Sequence, residues 1–373
     1  MAKKSFIKKS LLIATINMLF SYSALTDDLP YQNDYAFGVD ASFVEYHIEQ
    51  GHKYYENGNE KSPWKIFTDH GYNWARVHLC NEPTEKLPQN LEYVIQSGRA
   101  IKQNGLHFML DLMLSNSWAN PMTQPMPSTS QDISHEARVD SMYEFCYNAI
   151  SKLRQANATP DIVQIGNEIS NGFLWPAARL YPLQDKKSNW SNLVDYIESA
   201  SRGIKEGAGD KNVRIMVHVD HGGDIPLTRN FYDKIEEHEV DYDLIGFSFY
   251  PWSHGTLVDL KDNLRFTANR YKKEIILVET GYYFKTSRYF QDIKPPFPET
   301  PQGQKQWLKA VNVIVLNTPS GLGKGVFWWE PMMGGRGFFD KDGNVQPVIK
   351  ALHKYAYPIQ RADGQSRLHN NDK

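Results

Sequence analysis

The sequence predicts an α/β protein folded as a single (β/α)8 barrel. Three observations carry that prediction. Eight short apolar runs alternate with helix-patterned segments between residues 36 and 355. The runs are apolar on both faces, as strands of a parallel sheet are when helices cover it. No Pro/Ser-rich linker separates a second domain, and no glycine-rich dinucleotide loop supports the rival doubly wound open sheet.

The elements follow in order. Residues 36–43 (AFGVDASF) form the first strand. Residues 62–71 form a helix, with Ser62 as cap, Pro63 in the first turn and Gly71 at the end. Strand two is 73–80. Helix 91–105 closes on glycine, and strand three is 106–114. A Pro-, Ser- and Asn-rich loop spans 115–132, a length that in a compact domain usually serves function. Helix 135–157 leads to strand four, 161–168. The second half repeats the pattern. Strands occupy 212–219, 243–250, 274–281 and 323–331, and helices occupy 190–205, 226–237, 257–271, 300–317 and 346–355.

The N-terminus carries lysines at 3, 4, 8 and 9, then LLIATINMLFSYSA, the pattern of an export signal. The expected division is a signal peptide at 1–24, the barrel domain at 25–360 and a flexible polar tail at 361–373. The product is then secreted or periplasmic. A formal charge of −2 argues against nucleic acid or a polybasic membrane surface as partner. Aromatic residues make up 13% of the chain, which suits sugar rings and ordinary cores alike. Cys80 and Cys146 lack metal or redox spacing and read as two free buried thiols.

Barrel active sites lie at the C-terminal ends of the strands. Those ends carry Arg76 and His78; Asp111, then Asn116 and Trp118; Asn167 and Glu168; His218, Asp220 and His221; Tyr250, Trp252 and His254; Glu279; and Trp328, Trp329 and Glu330. Glu168 and Glu279, 111 residues apart, both end apolar runs. On strands four and seven they face one another across the mouth. A facing pair of carboxyls cleaves glycosidic bonds, with retention at a separation of about 5 Å and inversion when wider. Glu168 is the better acid/base and Glu279 the better nucleophile. Arg76 is placed to keep Glu279 ionised, Tyr250 to hold its rotamer, Asn167 to grip the sugar 2-hydroxyl and Trp329 to floor the ring. Asp111 reads as structural. Trp118, Trp175 and Trp252 are candidate stacking platforms, and His78, Asn116 and His218 candidate polar contacts. His218, Asp220 and His221 do not match a zinc spacing, and neither HExxH nor G-x-S-x-G occurs. No cofactor and no metal are expected.

Seven stretches together resemble glycoside hydrolase family 53, the endo-β-1,4-galactanases. They are FGVDASFV, DHGYNWARVHL, DIVQIGNEISNGFLWP, HVDHGGD, DLIGFSFYPWSHGTL, ILVETGY and GKGVFWWEP, spread over residues 37–331. The resemblance implies a retaining (β/α)8 enzyme acting on galactan or arabinogalactan, with Glu168 as acid/base and Glu279 as nucleophile. It also places the family's arginine, tyrosine and tryptophan on Arg76, Tyr250 and Trp329. Strand three departs from the family pattern: Met113 and Leu114 replace a histidine and a tyrosine, and Asn116 and Asn120 replace aspartates. Strand two departs as well, with His78 and Cys80. Those changes keep a second reading open, the same chemistry on another β-linked polysaccharide. A non-catalytic carbohydrate-binding protein is a third. The loop at 282–300 lacks the Asp/Asn density for the calcium ion of bacterial members. The expected partner is a polysaccharide or oligosaccharide, bound by a monomer.

Overall fold

The computed structural model describes residues 34–352, apart from 82, 84–86, 116 and 182–186. The expected signal peptide and polar tail lie outside the described residues, as does Asn116.

Eight parallel strands close into a barrel. They are β1 (Ala36–Asp40), β2 (Trp74–Leu79), β3 (His107–Leu112), β4 (Ile162–Ile165), β5 (Arg214–Val219), β6 (Leu244–Phe249), β7 (Glu274–Thr280) and β8 (Gly323–Trp328). Strand β1 completes the closure by pairing with β8 on one side and β2 on the other. Around them lie α1 (Val44–Glu49), α2 (Pro63–Asp69), α3 (Leu91–Gln103), α4 (His135–Gln155), α5 (Lys187–Ala208), α6 (Ile225–Glu237), α7 (Leu257–Tyr271) and α8 (Pro301–Leu316).

Local chemistry sets the helix starts. The side chains of Asn90, Ser134, Asp224 and Thr300 accept the orphan backbone N–H groups of α3, α4, α6 and α8. Thr256 and Asp259 form a reciprocal capping box on α7. Ser62 makes no such bond, so α2 starts on Pro63 alone. The helix expected at 346–355 is, within the described residues, a 3-10 turn at Pro347–Lys350. The short α1 and a small hairpin pairing Tyr55–Glu56 with Asn59–Glu60 were not foreseen. Neither has the periodic length that a sequence pattern needs. No helix among the described residues is long and apolar enough to cross a membrane.

Alternation along the strands divides the barrel interior into an apolar plug and a polar mouth. Ala36, Met109, Ile162, Met216, Leu244, Ile276, Val278 and Phe327 fill the lower interior, with Trp74 against them. Gly38 stands inward beside the Phe327 ring, where an added Cβ would come within 2.4 Å of it. Two or four residues further along six of the strands the interior turns polar, at Asp40, Arg76, Asp111, Gln164, His218 and Ser248. Strand β7 breaks this rhythm. Phe247 pairs with Leu277 but Ser248 pairs with Glu279, and Val326 pairs with Leu277 but Trp328 with Thr280. One extra residue is therefore accommodated at Val278–Glu279, a β-bulge, and both side chains point inward. Thr280 faces out again, where its hydroxyl accepts from the Trp307 indole on α8. Without the bulge Glu279 would face the helices.

Candidate active site

Arg76 is the hub of the mouth and is fully buried. Its Nη1 donates to Asp40 at 2.8 Å and to Glu279 at 2.9 Å. Its Nη2 donates to Asp111 at 2.9 Å and to the Asn167 side-chain oxygen at 3.0 Å, and Nε donates to Gln164 at 3.2 Å. All five guanidinium donor directions are used, so the ring of acids around it is fixed. His78 lies beneath, with Nδ1 2.5 Å from Asp111 and Nε2 2.8 Å from Asp40. Burial lowers its basicity, but Asp40 and Asp111 outweigh that and push it up to about 10, so it is an imidazolium. Burial also opposes ionisation of Asp40, yet His78 and Arg76 hold it well below the usual carboxylate range.

The two candidate catalytic carboxyls are buried in unlike surroundings. Glu279 receives Arg76 on Oε1 and the Tyr250 hydroxyl on Oε2 at 3.1 Å. Burial raises its pKa, and the charges of Arg76 and His78 restrain the rise. Glu168 has no such cation against it. Burial, then the charges of Glu279 and Asp220, push it well above the ordinary glutamate range. The Ser248 hydroxyl, and after it the more distant Arg76 charge, soften the rise. That hydroxyl belongs to a buried chain. The Gln164 amide lies 3.0 Å from His218 Nδ1, which also accepts the Glu168 backbone N–H at 3.3 Å. His218 Nε2 then lies 2.9 Å from Ser248 Oγ. Burial and the Arg76 charge hold His218 neutral, which fits a ring that accepts at Nδ1 and donates at Nε2.

The backbone at the rim is strained where the chain turns out of the strands. Leu114, Glu168, His221 and Glu330 all have positive φ, between 50° and 55°. Such conformations in residues other than glycine persist where the surroundings over-determine them. At Glu168 the turn follows Gly166 and brings the carboxyl back over the mouth.

Four half-buried aromatics border the pair. The Tyr250 and Trp252 rings stack with centroids 5.0 Å apart. Trp329 meets Trp118 edge-on at 6.2 Å and Tyr250 at 6.4 Å. Asn167 is beside them: its side-chain oxygen is taken by Arg76, and its amide donates to the Ala119 carbonyl at 2.9 Å, with one amide hydrogen left. Three expected contacts sit elsewhere. His78 and His218 are fully buried beneath the carboxyls and act on them, not on a ligand. Trp175 belongs to the loop after β4, where Arg179 covers its ring at 4.1 Å and its indole donates to the Asn171 carbonyl. Met113 is also buried, packed with Cys80 and Ala119 under Trp118, so the strand-three departure reaches the cleft through the platform it supports. Cys80 and Cys146 are free and buried.

Four residues of the mouth escaped the sequence reading of the site: Asp40, Gln164, Ser248 and Arg336. The first three are polar side chains at inward positions of otherwise apolar strands, a signal that was available. Arg336 comes from the loop after β8, and its guanidinium lies 3.9 Å over the Trp329 ring. Beside the hub, Glu330 is buried with one oxygen unpartnered. Burial and the Asp40 charge raise its pKa well above the usual range, against the opposing charges of His78 and Arg336.

A closed (β/α)8 barrel whose mouth holds an arginine-clamped carboxyl and a second buried carboxyl of raised pKa defines a glycoside hydrolase. The sequence profile of glycosyl hydrolase family 53 matches residues 36–354, and the chain belongs to that family. An uncharacterised Niallia circulans protein from the bgaB 5′ region is 33% identical over 308 residues, covering 80% of this chain and 83% of that protein. The arabinogalactan endo-β-1,4-galactanase of Thermothelomyces thermophilus is 33% identical over 306 residues, covering 79% and 88%. Among solved structures, the Ignisphaera aggregans family 53 catalytic domain superposes with a TM-score of 0.78 at 28% identity, covering 87% of this chain and 96% of that one.

Proposed function

We propose that the protein is a secreted endo-β-1,4-galactanase that hydrolyses galactan or arabinogalactan with retention, Glu279 serving as nucleophile and Glu168 as acid/base. The carrying observation is the unequal environment of the two carboxyls. Glu279 is held by a guanidinium and a phenol, which favour its ionised form. Glu168, buried without a cation, keeps its proton. A Glu279 oxygen attacks the anomeric carbon as Glu168 passes its proton to the departing glycosidic oxygen. The resulting ester is hydrolysed by a water whose proton returns to Glu168, and Glu279 leaves as carboxylate. The remaining amide hydrogen of Asn167 is directed to the sugar 2-hydroxyl. Trp118 and Trp329 supply apolar faces for the sugar rings. The similarity to the arabinogalactan endo-β-1,4-galactanase of Thermothelomyces thermophilus supports galactan as substrate. The lysine-rich start and the apolar run after it support export.

The test is product release from β-1,4-galactan by wild type, Glu168→Gln and Glu279→Gln, with the first-formed anomer read by NMR. Loss in both variants and a β-configured first product are expected. Full activity in either variant, or an α-configured product, overturns the roles. A panel of other β-linked polysaccharides with product sizing tests the substrate separately.

A further inference from the structure

A second cluster of reactive side chains stands beside the catalytic mouth, at the rim between β5 and β6. Asp220 and His221 leave the end of β5, and His254 lies in the loop between β6 and α7. One ligand atom from each lies within 4.8 Å of the other two. Neither histidine is used by the hydrolytic chemistry above, and Asp220 enters it only through its charge near Glu168.

The groups behind them are arranged as a ligand set requires. Asp220 is buried, and the Ser170 hydroxyl holds one of its oxygens, which leaves the other to His221. The buried His254 ring has Nδ1 between the Tyr250 backbone N–H at 3.2 Å and the Ser248 carbonyl at 3.1 Å. A cation on Nε2 selects the tautomer in which Nδ1–H donates to that carbonyl, the usual support of a metal-ligating histidine. His221 is half exposed and adopts φ of 55°. That strained turn brings its ring within 4.5 Å of the His254 ring, centroid to centroid, tilted by 35°. Two imidazoles held this close gain little from each other. A shared cation gives both a common partner beyond the Asp220 and Ser248 contacts they already make.

We propose that Asp220, His221 and His254 bind a divalent transition metal, with zinc the best match. Two imidazoles and one carboxylate suit zinc far better than calcium or magnesium, which take all-oxygen sets. The fourth position opens on a cavity of about 390 Å³ bordered by Gly223, Asp224, Ser253 and Asp259. Bound there, the ion ties the β5 loop to the β6 loop. Through Ser170 it also braces the segment that carries Glu168. The spacing of His218, Asp220 and His221 gave no zinc pattern because His218 turns inward to Ser248. The third ligand comes from a different loop.

The experiment uses untagged full-length enzyme, stripped with a chelator and dialysed against zinc or cobalt(II). About one metal per chain is expected, with visible cobalt bands of a tetrahedral site and a raised melting temperature on zinc addition. His221→Ala, which also removes a partner of Asp220 and is therefore compared with its own metal-free melting temperature, weakens binding at least about tenfold, a loss of roughly 1.4 kcal/mol. His254→Gln provides the buried counterpart. Glu168→Gln retains binding, which separates this site from the catalytic pair. The proposal is overturned if wild type takes up no metal at micromolar zinc. It is also overturned if both histidine variants bind as tightly as wild type, or if Glu168→Gln abolishes uptake.

Discussion

Replacing Tyr250 by Phe tests how the candidate nucleophile is kept ionised. The phenol donates to Glu279 Oε2 at 3.1 Å, and burial keeps the phenol itself neutral. Hydrogen bonds to charged groups contribute about 1.5–3 kcal/mol. At 3.1 Å this one is longer than the ~2.5–2.7 Å typical of hydroxyl–carboxylate bonds, so the low end applies. About 1.4 kcal/mol corresponds to one pKa unit. The hydrogen bond favours the ionised carboxylate, so its loss makes Glu279 hold its proton more tightly. The acidic limb of the kcat/KM profile then moves up by about one pH unit, and activity on that limb falls roughly tenfold. The assay is galactan hydrolysis from acid to neutral pH, with circular dichroism to verify folding. Near the pH optimum a smaller loss is expected, because Arg76 still holds Oε1. A uniform loss at every pH with the limb unmoved would refute the argument and make Tyr250 a substrate contact.

Three further outcomes follow from the same geometry. Arg76→Met strands Asp40, Asp111 and Glu279 without their shared cation; urea denaturation should show a loss of about 3–5 kcal/mol, and activity should vanish. A variant as stable as wild type would show the acids to be protonated in the native state. Ser248→Ala removes a contact that lowers the pKa of Glu168, so the basic limb should move to higher pH, by less than about one unit for a neutral donor; an unmoved limb rejects the His218–Ser248 chain as a tuning device. Trp118→Ala should raise KM for galactan by roughly tenfold, the worth of an aromatic face of about 1–1.5 kcal/mol, with kcat little changed; a fall in kcat alone would make the ring a support for Trp329.

The barrel was legible because its signals are periodic and local. Eight apolar runs and closing glycines such as Gly71 and Gly105 set the alternation without help from tertiary contacts, whereas the caps at Asn90, Ser134 and Thr300 emerge only in the structure. Glu168 and Glu279 were legible because strand ends are where such barrels act. What surrounds them was less so. His78 and His218 were read as ligand contacts because a sequence shows that a residue is near the rim but not its depth. Gln164 and Ser248 drew no reading from the sequence, and only the closed sheet brings them into one buried chain. The inward turn of Glu279 was the least readable feature. Strict alternation from Ile276 and Val278 sends it outward, and only the pairing with β6 and β8 reveals the extra residue.

That extra residue sets the limits of redesign. In β7 the apolar plug and the reacting group run out of phase by one position. An engineer who regularised the strand to an ideal eight-fold template would keep Ile276 and Val278 in place. The barrel would gain an unbroken ladder, and Glu279 would be delivered into the helix layer, where no glycan reaches. With Glu279 as the proposed nucleophile, the most regular version of this scaffold is expected to be inert, and stabilising campaigns on it should leave β7 its irregularity.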